Sequence, residues 1–248
     1  MYNNYKEYRE GVLMDLKFLG RGAAFNVYER NTSAYFIENQ TLFLIDCGES
    51  VFSTLIEKNI LNDIYDVYIL ISHTHSDHCG SLGSLGLYCK YVKKIKMKLI
   101  VPHNSAYIHS LKLLMELFGN EDTYEFVYEE ELDHRFINFE KVRYDLTSHT
   151  KDLHCYSFVF ESKEGAVFYS ADTNVVDNVV HFIDTYDNIA SIYMEGTDLD
   201  IPDDVHLNID KLSSVIPQHL HSCVYLMHIR NHACVEDAIK NGFQIVKI

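Results

Sequence analysis

Val67-Tyr68-Ile69-Leu70-Ile71-Ser72-His73-Thr74-His75-Ser76-Asp77-His78 runs from an apolar stretch straight into three histidines and an aspartate. Residues 67–72 read as a strand of the buried type, and the polar residues begin where that strand ends. With 14 His in 248 residues, a His-x-His-x-Asp-His string arises by chance on the order of once in 300 such chains. The spacing has a chemical sense. His73 and His75 are two apart, so on extended backbone both imidazoles point one way. Asp77 and His78 lie past the bend and can face a second cation. Imidazole and carboxylate together suit zinc, and manganese or iron are accommodated by the same donors.

Two cations need more ligands than these four, and the chain offers more at other strand ends. His149 follows residues 141–148, Asp172 follows 166–171 and His228 follows the apolar 223–227. Loop-built sites assemble where buried strands leave a sheet. Cys79 adjoins the cluster and is expected to pack there rather than react. The six cysteines form no C-x-x-C pair, so free or buried thiols are expected instead of a disulfide framework.

Around these residues the pattern alternates. Strands are expected at 14–19, 33–38, 41–46, 67–72, 98–101, 123–128, 136–146, 155–161, 166–170, 191–195 and 223–227. Helices are expected at 52–59, 80–90, 103–118, 209–218 and 235–241, the last stopped by Gly242. No linker or repeat divides the chain, which predicts one α/β domain over residues 1–248, a sheet sandwich covered by helices. The formal net charge of -15 repels long polyanions and excludes a general nucleic-acid binder, but a small anion can still bind where metals set the local field. The five lysines within 90–98 read as a solvated face. No apolar run reaches 18 residues, so no transmembrane helix is expected, and the polar residues 1–10 lack a signal-peptide pattern. Both point to the cytoplasm.

The order His-x-His-x-Asp-His, His, Asp, His resembles the metallo-β-lactamase superfamily over nearly the whole chain, and Asp46-Cys47-Gly48 is similar to that family's strand with an aspartate beneath the site. The resemblance implies a four-layer αββα sandwich holding two Zn2+. His73, His75 and His149 would serve one ion, Asp77, His78 and His228 the other, and Asp172 would bridge them. His154 is a rival for the third position, where the strand pattern favours His149.

Further segments resemble the phosphodiesterase branch that contains the tRNA 3′-processing endonucleases. They are residues 19–25 with Arg30-Asn31-Thr32-Ser33, then Met194-Glu195-Gly196-Thr197, and His206-Leu207-Asn208, where only the histidine of the branch's His-Ser-Thr is kept. The resemblance implies that His206 protonates the leaving oxygen, oriented by Glu195, with Asp77 the third catalytic residue. Only 23 positions separate His149 from Asp172, which leaves no room for the tRNA-clamping arm of the bacterial endonucleases. The compact core and residues 20–26 resemble the phage anti-Pycsar family, homodimeric phosphodiesterases acting on cyclic mononucleotides of bacterial antiviral signalling. A cyclic-nucleotide substrate, a homodimer and no stable nucleic-acid partner are thereby implied. Tyr107, Phe118, Tyr124 and Phe126 are candidates for holding the base. The competing readings are a tRNA endonuclease, a thioesterase on the same metals and a non-catalytic nucleotide sponge.

Overall fold

The computed structural model describes residues 14–202 and 204–248; the polar segment 1–10 lies outside them. The first half of the chain comprises β1 (Lys17–Gly20), β2 (Ser33–Glu38), β3 (Thr41–Ile45), α1 (Val51–Glu57), β4 (Asp66–Leu70), α2 (Ser76–Cys79), α3 (Leu82–Tyr88), β5 (Met97–Val101), α4 (Ser105–Leu117) and β6 (Tyr124–Tyr128). The second comprises β7 (Lys141–Thr147), β8 (Cys155–Ser162), β9 (Gly165–Tyr169), α5 (Asp177–Thr185), β10 (Ile189–Glu195), α6 (Ile209–Val215), β11 (Val224–Met227), α7 (His232–Lys240) and β12 (Gln244–Ile245).

Two six-stranded sheets result, ordered β1-β2-β3-β4-β5-β6 and β12-β11-β10-β9-β8-β7. Each opens with two antiparallel pairings and continues with three parallel ones. The two halves therefore share a wiring that their sequences do not repeat.

Strand periodicity sorts side chains between layers. Along β8, Tyr156, Phe158 and Phe160 join the core cluster that both sheets share, while Val159 faces the other way with Phe182 of α5 and Leu212 of α6. In β9, Val167 and Tyr169 enter the first cluster and Ala166 and Phe168 the second. Val51, Leu85 and Leu111 from α1, α3 and α4 close the outer face of the first sheet. Helices, sheet, sheet, helices is the αββα order expected. Between the sheets, Phe43, Phe139 and Phe160 pack edge to face, with Phe43 and Phe139 centroids 5.2 Å apart.

Several boundaries differ from expectation for local reasons. The strand expected at 136–146 starts only at Lys141, because Phe136 and Phe139 turn inward as a stacked pair 5.2 Å apart. The helix expected over 80–90 is α3 alone, followed by a wide turn at Cys89–Lys93 that ends with Lys94 at φ 63°. The helix at 209 stops at Val215, since Pro217 forces Ile216 out of the helical region. Helix α5 was not expected: it is rich in β-branched residues and has no side-chain cap. Among the described residues, no helix is long and apolar enough to cross a membrane.

Candidate metal centre

The site lies past the carboxyl ends of the parallel strands, the usual place for a site in α/β sheets. β4 delivers His73 and His75, and the short α2 carries Asp77 and His78. Three strand exits take a left-handed turn on non-glycine residues: Asp46 after β3 (φ 61°), Ala171 after β9 (φ 49°) and His228 after β11 (φ 55°). Such conformations cost energy and persist where surrounding contacts enforce them. Here they redirect the chain so that Asp172 and His228 meet the histidine loop. Gly48 fits closely against that loop: a Cβ there would lie 1.9 Å from the Asp77 carbonyl oxygen.

Seven side chains converge in two groups. His73 Nε2 lies 2.9 Å from His75 Nδ1, and His149 Nε2 lies 3.3 Å from the same atom. Asp172 Oδ2 stands 4.0 Å from His73 Nε2 and 3.6 Å from His149 Nε2. In the second group Asp77 Oδ2 lies 3.4 Å from His78 Nε2 and 3.3 Å from His228 Nε2. The other oxygen of Asp172, Oδ1, lies 3.2 and 3.4 Å from those two nitrogens. Donor atoms within each group lie within 4.8 Å of one another, and Asp172 belongs to both groups. His154, the rival of His149, is exposed.

Hydrogen bonds behind the cluster set which ring nitrogens face inward. Ser72 Oγ–H donates to Asp46 Oδ2 at 2.8 Å, so the Ser72 Oγ accepts from His73 Nδ1–H at 3.0 Å. His78 Nδ1–H donates to Asp46 Oδ2 at 2.8 Å, and His149 Nδ1–H donates to the Val205 carbonyl at 2.7 Å. These three rings thus turn an Nε2 lone pair into the site, the arrangement of metal-ligating histidines, while His75 faces it through Nδ1.

The electrostatics fit divalent cations. Burial, with the neighbouring His78 charge, holds His73 well below its usual value, and burial also lowers His75, which favours neutral nitrogens on both. Burial opposes ionised His228, but Asp172, Asp77 and Glu195 outweigh it and lift it to about 10. His78 is raised against the same burial penalty by Asp172 and Asp46. Burial raises Asp77, yet the neighbouring His228 and His78 imidazoles hold its carboxyl well below the usual range. The carboxylates therefore create a field that favours positive charge between these rings. At its centre, His78 Nε2 and Asp172 Oδ1 are buried without a hydrogen-bond partner, as ligand atoms awaiting a cation would be.

Beside the cluster, His206 Nδ1–H donates to Glu195 Oε2 at 2.7 Å. Its ring lies 5.1 Å from those of both His149 and His228. Burial disfavours its charged form, but the Glu195 charge and hydrogen bond outweigh that and raise its pKa. Thr173 N–H donates to Glu195 Oε1, and Ser170 Oγ accepts from the Glu195 amide at 2.9 Å. The Thr197 amide donates to the Leu207 carbonyl at 2.8 Å, which registers the His206 loop on the end of β10. Asn208, which departs from the branch's pattern, caps α6 by accepting from Lys211 N at 3.0 Å.

Some residues take other roles. Cys79 is buried, its thiol pushed up to about 12 by burial, and its Sγ sits 3.2 Å from the His75 carbonyl: it packs. Tyr107 is buried and its hydroxyl donates to the Ile71 carbonyl, so it braces the strand before the cluster and cannot stack on a base. Lys90 pairs with Asp122 at 2.9 Å, and Lys93 donates to the Leu61 carbonyl at 2.7 Å. Val205, Thr173 and Ser72 act through backbone or small polar groups, which carry no signal in a motif search. The cavity over the cluster, about 270 Å³, is lined by Ala24, Phe25, Val205 and His206 with the cluster residues.

The family model described as Anti-Pycsar protein Apyc1 matches residues 14–247. The Anti-Pycsar protein Apyc1 of Bacillus phage 010DV004 is 30% identical over 237 residues, covering 87% of this chain and 88% of that protein. The metallo-β-lactamase fold protein YhfI from Bacillus subtilis superposes with a TM-score of 0.67 at 17% identity, over 92% of this chain and 90% of that one. The short form of human tRNase Z gives 0.64 at 19% identity, over 89% and 94%. At such identities these two structures show the fold, and the sandwich is the metallo-β-lactamase fold. With the family match across all but its ends, the chain belongs to the Anti-Pycsar protein Apyc1 family.

Proposed function

We propose that this chain is a two-zinc phosphodiesterase that opens 3′,5′-cyclic mononucleotides to 5′-monophosphates, blunting cyclic-nucleotide defence signalling in the host cytoplasm. One observation carries the two-metal reading: Asp172 presents one oxygen to each of two histidine groups. His73, His75 and His149 would hold one ion, Asp77, His78 and His228 the other, with Asp172 between them. When bound, the ions supply Lewis acidity and neutralise the charge that builds on phosphate oxygens.

The chain's own groups do the rest. Glu195, fixed through Oε1 by the Thr173 amide, orients His206 through Oε2. His206 Nε2 then gives its proton to the ribose 3′-oxygen as the P–O bond breaks, and water supplies the hydroxyl gained by phosphorus. The phage relative's name supports a signalling substrate over a structural nucleic acid. So does the β8–β9 connection, which is a plain turn closed by Ser162 and Gly165 where a tRNA-binding arm would emerge. Exposed Leu113, Leu117 and Phe118 on and beside α4 support a homodimer.

Incubating zinc-loaded protein with a panel of 3′,5′-cyclic mononucleotides tests the reading, with Asp172→Ala as control. Chromatography should resolve 5′-monophosphates that the variant does not form. No turnover of the panel alongside cleavage of a precursor tRNA would overturn it.

A further inference from the structure

The cavity over the cluster continues past His206 and His228 into a second hollow of about 230 Å³. Its lining includes Phe25, Asn26, Thr197, His206, His228 and Arg230. Phe25 lines both spaces, yet the residue is 98% exposed. An aromatic ring left in water contributes nothing to folding through burial, so its place needs another account.

The loop that carries Phe25 is tied to the metal centre. The Asn26 amide donates to the Ala23 carbonyl at 2.9 Å and closes a tight turn with Phe25 near its tip. The Ala23 amide donates to the Ile229 carbonyl at 3.1 Å, and the Ile229 amide donates to the Arg21 carbonyl at 2.7 Å. Asn26 Nδ2 donates to the same Ile229 carbonyl at 2.9 Å, the third bond between the two loops. Ile229 directly follows His228, so the ring is registered to a residue of the cluster. The same hollow is lined by a cation in a chain of net charge -15: Arg230, whose Nη2 is held by both oxygens of Asp198 at 2.6 and 2.7 Å.

We propose that this hollow receives the base of a nucleoside phosphate whose phosphate lies at the metal centre, with Phe25 as its stacking platform and Arg230 as the fixed cation of its wall. The inference rests on the phosphodiesterase reading for the identity of the substrate. An aromatic face accepts any base, because every base has a π-face, and a guanidinium favours electron-rich planar groups. Little base selectivity is expected of such a platform.

The chain contains no tryptophan, so Phe25→Trp supplies a single fluorescent reporter at the site. Zinc-loaded F25W protein is titrated with adenosine 5′-monophosphate and, separately, with ribose 5-phosphate. Saturable quenching by the first and none by the second is expected. In steady-state assays with cyclic AMP, Phe25→Ala should raise KM about tenfold with kcat within about twofold, as for loss of one stacked base. Arg230→Gln should raise KM in the same direction. Tyr28→Ala, at an equally exposed aromatic that lines neither cavity, should leave KM unchanged. Absent quenching, equal quenching by ribose 5-phosphate, or an F25A variant altered only in oligomeric state would overturn the assignment. Quenching by the nucleotide without turnover of any cyclic nucleotide would sustain the base pocket and remove the phosphodiesterase reading. Turnover with no quenching and an unchanged KM in F25A would do the reverse.

Discussion

Asp172 meets both histidine groups through different oxygens, so its loss acts on both proposed ions at once. Asp172→Ala should reduce bound zinc from about two ions per chain to one or fewer, read by elemental analysis of dialysed protein. Chelation of the wild-type protein should lower its melting temperature, and zinc should restore it, since a ligand that binds only the folded state stabilises it. A melting temperature indifferent to chelator would remove the metal assignment. His206 makes a different prediction, because its ring donates to Glu195 and its amide to Asp204 Oδ1, neither of them in the two donor groups. His206→Ala should lower kcat by about 10²–10⁴-fold while zinc content stays at the wild-type value. Equal loss of zinc would show the residue to be a ligand instead of an acid.

Two elements that brace the site can be tested by stability. Asn104 caps α4, its Oδ1 accepting from the amides of Ala106 and Tyr107 at 3.1 Å, while its Nδ2 donates to the Tyr156 hydroxyl at 2.7 Å. Asn104→Ala removes the cap and the bond across to β8. It should cost about 1–2 kcal/mol in urea denaturation, with zinc content preserved. Arg143 of β7 grips Asp133 through two bonds of 2.9 and 2.7 Å, joining β7 to the turn after β6. That hydrogen bond holds the Asp133 carboxyl below its usual value of 3.8. A depressed carboxyl stabilises the fold above the unfolded pKa and loses that contribution as pH falls through the folded one. The pair is partly exposed, so Asp133→Asn should cost below about 1 kcal/mol at pH 7. The difference from wild type should shrink as denaturation is repeated below about pH 4; a gap that persists at pH 2 would mean the loss is not electrostatic.

At the scale of the molecule, α4 turns Leu111 and Met115 into the core and leaves Leu117 77% exposed. A leucine that open, with Leu113 and Phe118 near it in sequence, is the patch assigned to the proposed homodimer. Leu117→Lys should shift the protein toward monomer in light scattering at a fixed concentration, with no loss of thermal stability in the monomer. An unchanged mass would place any dimer contact elsewhere.

The alternation of strands and helices and the donors of the cluster were legible in the chain itself, because the information is local. Continuous apolar runs mark β8, β9 and β10 as strands buried on both faces, and His73, His75, Asp77 and His78 fall on one loop after one strand. His149, Asp172 and His228 could be named because each follows a strand, and the resemblance ordered them into two groups. Other features depended on how the two sheets face each other. Asp172 divides its oxygens between the groups from a chain turned left-handed at Ala171. Phe136 and Phe139 leave a strand pattern to fill the space between sheets, and Tyr107, readable as a base platform, is consumed by bracing Ile71. Phe25 reads as an ordinary loop aromatic until Ile229, more than 200 residues later, anchors its turn beside His228. Local periodicity and ligand type are written residue by residue, whereas a contact between distant residues exists only once the sheets have packed.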